Sequence, residues 1–211
     1  MMKPRDNLQR IRRSLFILAA AAAFLAPALA AQERPAAPSW IEKLTVPLSQ
    51  TDVQRFSRFD ENRKEAVHEA EQGGDSADHP ALLKVLAGQP QAIADKELIG
   101  EWRCRTLKLG GNLPLVIYGF FKCRIFEENG ALILQKTTGS QRTRGALHRI
   151  AADRFAYIGA GTVNDDPVRA YGDDAQEDEV ALLVKAAPAR LRLEFPAPHY
   201  ESLFDIIELV R

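Results

Sequence analysis

Cysteine is scarce in this chain of 211 residues, with Cys104 and Cys123 as the only two. They form no C-x-x-C pair, and the four histidines, His68, His79, His148 and His199, stand at no metal-ligand spacing from one another. No H-E-x-x-H occurs, so no metal site is expected. The chain also lacks the G-x-x-x-x-G-K nucleotide loop, and Ser140 does not lie in a G-x-S-x-G elbow. No nucleophile–base constellation stands out, so no catalytic residue and no cofactor is assigned. Long apolar runs are missing too. The best, Leu15 to Leu25, falls short of the roughly 20 residues a membrane helix needs, and no second one follows. No membrane span is expected.

What is present at the start is an ordered set of targeting signals. Lys3, Arg5, Arg10, Arg12 and Arg13 make a basic n-region, the apolar run follows, and Ala28-Leu29-Ala30 is an A-x-A cleavage site. This order is that of a secretory signal peptide. It predicts a periplasmic or secreted protein, cleaved near Ala30, and no cysteine stands at the cleavage site to carry a lipid. The whole chain has 28 basic and 28 acidic residues; without residues 1–30 it has 23 and 27, a net charge of −4. A mildly acidic surface argues against a nucleic-acid partner.

The sequence divides into a signal peptide (1–30), a flexible Ala/Pro-rich leader (31–45), a helical region (46–97) and a β-barrel-like domain (98–211). Thr51 or Asp52 can cap a helix that runs to about Gln72, where Gly73-Gly74 stops it, and Pro80 opens a short second helix through Leu86. From Leu98 the hydrophobic period changes to two. Eight strands are predicted, at about 101–108, 117–127, 131–137, 144–151, 153–160, 179–186, 190–196 and 203–210. Asn129-Gly130 between apolar runs is a tight-hairpin signal. The fold class is therefore mainly β, with about eight antiparallel strands after two helices. An up-and-down barrel, which leaves no open edge, is favoured over a two-sheet sandwich.

In an exported protein the two cysteines should pair. Trp102, Cys104 and Thr106 share one strand face, and Phe121, Cys123 and Ile125 share another. Setting Cys104 directly opposite Cys123 in a hairpin places Arg103 against Arg124 and Arg105 against Lys122. Four like charges so placed would destabilise the hairpin unless matched. The expected match is the carboxylates of the first helix, Glu61, Glu65 and Glu69, with an anion or an acidic partner as the alternative. Ser140, Gln141 and Arg142 form a polar, glycine-bounded connection that could receive an anion. Asn164-Asp165-Asp166 and Asp173 to Glu179 make an acidic segment without calcium spacing, and Tyr171-Gly172 within it should fold back onto the barrel.

Two resemblances complete the reading. Gly100-Glu101-Trp102 opening the first strand resembles the G-x-W signature of the calycins, the lipocalins, avidins and their relatives. That resemblance implies that Trp102 plugs one barrel end and that Arg211 packs over it. The runs Leu98 to Arg105, Phe121 to Ile125, Gly139 to Arg142, Tyr157 to Ala160, Phe195 to Pro198 and Glu201-Ser202 resemble the secreted bacterial family known as domain of unknown function 4893. This second resemblance covers roughly Val46 to Arg211, implies export, and carries no activity. The function expected is a non-catalytic module that binds a small ligand or a protein. The alternatives are a periplasmic inhibitor of a secreted protease and a hydrolase-type enzyme without a recognisable motif. The inhibitor reading follows bacterial metalloprotease inhibitors, which also use a small eight-stranded barrel with an early disulfide.

Overall fold

The computed structural model describes residues 35–164 and 166–211. The signal-peptide reading, residues 31–34 of the leader and Asp165 lie outside the described residues. A 3-10 turn (Ser39–Lys43) is followed by α1 (Gln50–Ser57), α2 (Phe59–Gly73), α3 (His79–Leu86) and α4 (Asp95–Leu98). Nine strands follow: β1 (Gly100–Leu109), β2 (Leu115–Ile117), β3 (Phe121–Glu128), β4 (Ala131–Lys136), β5 (Gln141–Ala151), β6 (Arg154–Val163), β7 (Asp178–Ala187), β8 (Arg190–Pro196) and β9 (Phe204–Val210).

Eight strands close an antiparallel barrel in the order β1-β3-β4-β5-β6-β7-β8-β9, with β9 returning to β1. Closure removes both sheet edges and pairs the backbone all round. The chain is mainly β, as its period-two pattern predicts. Asn129 (φ 52°) and Gly130 (φ 79°) make the two-residue turn between β3 and β4 that the Asn-Gly pair signals.

Four local expectations are corrected. The helix read from 51 to 72 breaks at Arg58, and its cap is Ser49, whose Oγ accepts from the Asp52 N–H. The helical region holds four α-helices rather than two. The leader read to 45 ends sooner: Trp40, in the 3-10 turn, meets the Phe56 ring edge-on at 4.8 Å, and Ile41 and Leu44 pack beside Ala156, Val180 and Leu182 on the outside of β6 and β7. The strand read as 117–127 is one path broken at Tyr118–Phe120. Before the break Leu107 faces Ile117, and after it Cys104 faces Phe121, a slip of one residue. A one-residue slip turns the side chains over. Leu115 therefore points outward with Leu107 and Leu109, while Phe121 and Cys123 point into the barrel.

The helices cover only part of the outer wall. Ala66 and Ala70 of α2 and Leu82 and Val85 of α3 bury Leu107, Leu109, Leu115, Phe204 and Ile206. Small residues on α2 let it lie close to the sheet. Arg192 fastens α3 to β8, donating to the carbonyls of Leu86 and Ala87 at 3.0 Å each, where the helix leaves its last C=O groups unpaired. Its Nε is held by Glu194 at 2.7 Å.

Candidate functional site

The barrel interior has two ends of different chemistry. At the lower end Trp102 lies across the bore, and its Nε1 donates to the Leu98 carbonyl at 2.8 Å. The Arg211 guanidinium sits 3.8 Å from the Trp102 ring and donates to the carbonyls of Glu97, Leu98 and Ile99. Above this plug the bore is filled by Ile125, Leu134, Leu147, Phe155, Leu183, Leu191 and Leu193, all buried. The disulfide joins Cys104 to Cys123 with Cα atoms 5.8 Å apart.

The upper end is open. Here the inward positions of successive strands become polar: Thr106 and Lys108 on β1, Lys136 on β4, Gln141 and Thr143 on β5, Glu179 on β7 and Asp205 on β9. They surround a cup of about 140 Å³, with Phe195 and Ile207 as an apolar wall. Each polar residue continues the inward series of its own strand. Lys136 follows Leu132 and Leu134, and Glu179 precedes Ala181 and Leu183.

The floor is shaped by two glycines. Gly145 and Gly159 face each other across β5 and β6. A Cβ on Gly145 would come within 2.6 Å of the Tyr157 ring, and one on Gly159 within 2.5 Å of its hydroxyl. The missing side chains let the Tyr157 ring lie against the backbone, fully buried, with its hydroxyl aimed at Thr143. Thr143 Oγ1 donates to a Glu179 carboxylate oxygen, so Tyr157, Thr143 and Glu179 form one hydrogen-bonded chain. Gly161 leaves room for the Glu177 and Glu179 carboxylates, which a Cβ there would approach at 3.2 and 3.1 Å.

Burial sets the protonation of this cup. Glu179 lies deep among protein atoms with its carboxyl toward the cavity, and desolvation pushes its pKa up to about 7 despite the Thr143 hydrogen bond. Asp205 rises to about 6 by desolvation, opposed by a hydrogen bond from Ser202 Oγ. Tyr157 is raised well above its ordinary value by burial and by the nearby Glu179 charge. Lys136 is lowered by desolvation. Lys108 is raised: burial opposes its charge, but the hydrogen bond to Glu201 and the charge of Asp205 outweigh it. Titrating groups displaced from their ordinary values and gathered at one cavity make it the candidate functional site. Among the described residues no group of three or more His, Cys, Asp or Glu could hold a metal ion.

The domain of unknown function DUF4893 matches residues 45–209. The chain belongs to this family. No curated protein and no solved structure matches it. The family brings no residue roles, so the assignments of this chain's side chains rest on its own geometry.

The residues singled out from sequence are placed as follows. Gln141 and Arg142 reach the lip of the cup, and Arg142 Nε donates to the Gly139 carbonyl at 2.8 Å. Ser140 is exposed and its carbonyl accepts from the Asn164 N–H. The basic residues Arg103, Arg105, Lys122 and Arg124 do not form two opposed pairs. The cysteines are diagonal: Cys123 faces Trp102, Arg103 faces Lys122, and Arg124 faces Glu101. Arg105 instead faces Glu208 of β9 and pairs with it at 2.7 Å. Arg103 and Arg105 flank the Phe120 ring at 4.5 and 4.9 Å, and Arg124 rests on Phe126 and bonds Gln135. The α2 carboxylates serve elsewhere, Glu61 with Arg58 and Glu69 with the Gly111 N–H. Tyr171 folds back as the acidic segment suggests, but onto α1, donating to Asp52 at 2.6 Å.

Proposed function

We propose that this protein is an exported, non-catalytic module that holds a small polar ligand in the open end of its barrel. The observation that carries this reading is the cup itself. A closed barrel with one end plugged and the other lined by buried Lys136 and Thr143 and half-buried Glu179 and Asp205 keeps costly desolvated polar groups that a purely structural core would replace by apolar ones. The volume, about 140 Å³, suits a compact ligand, since a cavity of roughly 150 Å³ takes a benzene ring. The basic n-region, the apolar run and Ala28-Leu29-Ala30 support export.

Native mass spectrometry of protein taken from its own cell envelope tests both parts. The expected result is a chain beginning at Ala31 that carries a small adduct, with the adduct lost from Gly161→Leu, whose side chain fills the cup. Equal retention by wild type and Gly161→Leu, or absence of any adduct, would refute the binding reading. Recovery of the chain with Met1 intact would refute export.

A second reading rests on one observation. A carboxyl that titrates near neutrality at the end of the Tyr157–Thr143 chain is suited to general acid–base work. It predicts that Glu179→Gln abolishes a turnover while leaving ligand retention in place.

A further inference from the structure

We infer that the ligand of the cup is a small organic carboxylate, its anionic head on Lys136 and its apolar body against Phe195 and Ile207. The inference rests on the binding reading above and narrows it to one chemical class.

Two lysines line the cup, and they are treated differently. Lys108 is 7 % exposed, is held by the Glu201 carboxylate, and faces Asp205 directly across the β1–β9 ladder. Lys136 is 6 % exposed and feels Glu179 and Asp205 only from beyond contact distance. Its Nζ donates to the Gln141 carbonyl at 2.7 Å and lies 4.7 Å from the centre of the Phe121 ring. No carboxylate among the described residues forms an ion pair with it. An ammonium taken from water without a carboxylate in contact is expensive; the carbonyl, the ring face and the more distant Glu179 and Asp205 charges offset only part of that cost. An incoming anion would supply the counter-ion and leave two of the three ammonium protons a partner.

The remaining walls select among anions. Glu177 and Glu179 face Lys136 from the β7 side and Asp205 from β9, while Lys108, Arg142 and His199 stand at the lip. A doubly charged anion would meet two or three of these carboxyls at close range. A single carboxylate needs only one of them to keep its proton, and Glu179, whose pKa stands at about 7, is the group able to do so. Protonated, it turns from a repelling acceptor into a donor. Phe195 and Ile207, both buried, then offer the body of the acid an apolar wall that inorganic phosphate could not use.

The test uses the full mature chain and six probes: benzoate and butyrate, their amides benzamide and butyramide, and the amines benzylamine and butylamine. Binding is read from the NMR amide signals of Thr143 and Gly161. The expected result is that the carboxylates shift these signals saturably and bind at least about tenfold more tightly than their amides, the lower range for a hydrogen bond to a charged partner. Affinity should rise as pH falls from about 8 to about 6, because binding takes up a proton at Glu179. Lys136→Met should weaken the carboxylates roughly ten- to a hundredfold and leave the amides unchanged. Should Lys136→Met fail to fold, Lys136→Gln carries the same expectation, and the pH trend of wild type stands without either. Amides or amines that bind as well as the acids at the same signals, or an affinity for the acids that falls as pH falls, overturn the carboxylate assignment but keep the cup as a binding site. If none of the six shifts Thr143 or Gly161, both readings fall.

Discussion

The two ends of this barrel are built from the same eight strands, yet they solve opposite problems. At the plugged end every polar group of the lid is matched to the backbone: Trp102 to one carbonyl and Arg211 to three. Nothing there is left for a ligand. At the open end, Lys136 and Glu179 touch a carbonyl, a ring face and a hydroxyl, and act on each other across the cavity without an ion-pair contact. The first arrangement is what stability favours. The second costs stability and persists where a partner is expected. The boundary falls near the Cys104–Cys123 layer, above which inward positions turn polar.

The contrast can be broken by substitution, and the largest effect should come from the plug. Trp102→Ala should lower the unfolding free energy by about 3–5 kcal/mol in urea titrations, the usual cost of emptying a core aromatic site. Ligand binding at the far end should hardly change. A loss of binding equal to the loss of stability would show that the two ends are not separable.

Removing the disulfide by the Cys104→Ala and Cys123→Ala double change should cost about 3 kcal/mol, from the loop-closure entropy of the 19-residue separation. Since the bridge lies between the two ends, hydrogen exchange should speed up in β1 and β3 and leave β7 and β8 little altered.

The cup should show itself in the pH dependence of stability. The Glu179 carboxyl titrates at about 7 in the folded protein against 4.5 in the unfolded chain, so between these values the folded state holds a proton that the unfolded state has lost. Stability should therefore fall as pH rises through that window, with Asp205 acting in the same sense from 3.8 to about 6. Glu179→Gln should flatten the slope, removing about 2 kcal/mol of the total change across the window, allowing for the water that reaches the cavity. An unchanged slope would place the Glu179 carboxyl in an ordinary aqueous setting.

The smallest effect, and of opposite sign, is expected at Lys136. Lys136→Met exchanges a buried charge that has no carboxylate in contact for an apolar chain of similar length and should raise stability by on the order of 1 kcal/mol. Destabilisation in thermal melts would mean that the Gln141 carbonyl and the Phe121 ring already satisfy the ammonium.

Much of the fold was legible because it rests on period two and on turn residues. The Asn129-Gly130 hairpin and the last strand, with Phe204, Ile206 and Glu208 on one face, lie where the pattern puts them. The register of the first hairpin was not. Treating the disulfide as a directly opposed pair shifts the pairing by two residues. A shift of two keeps every side chain on its proper face, so the inward positions of Trp102, Cys104 and Cys123 survive while the partners of Arg103, Arg105 and Arg124 do not. The break at Tyr118–Phe120 was hidden because apolar residues continue through it. The cup was hidden for another reason. Its polar residues come from five strands, β1, β4, β5, β7 and β9, and only Lys136 and Gln141, on either side of one turn, bring two walls into a short window. The only signal was parity: a charged side chain at the inward position of a strand end, seen at Lys108, Lys136, Glu179 and Asp205.

The glycine pair beneath Tyr157 gives this barrel a reporter of its own occupancy. The α-hydrogens of Gly145 and Gly159 point at the Tyr157 phenol from a distance too short for a methyl group, within the zone where an aromatic ring current displaces proton resonances. Both glycine resonances should appear well outside their usual range. Because the phenol hydroxyl is tied through Thr143 to Glu179, anything that rearranges the cup tilts the ring and moves those resonances with it. Filling of the site can thus be followed from its floor, without a label and without knowing in advance what has entered.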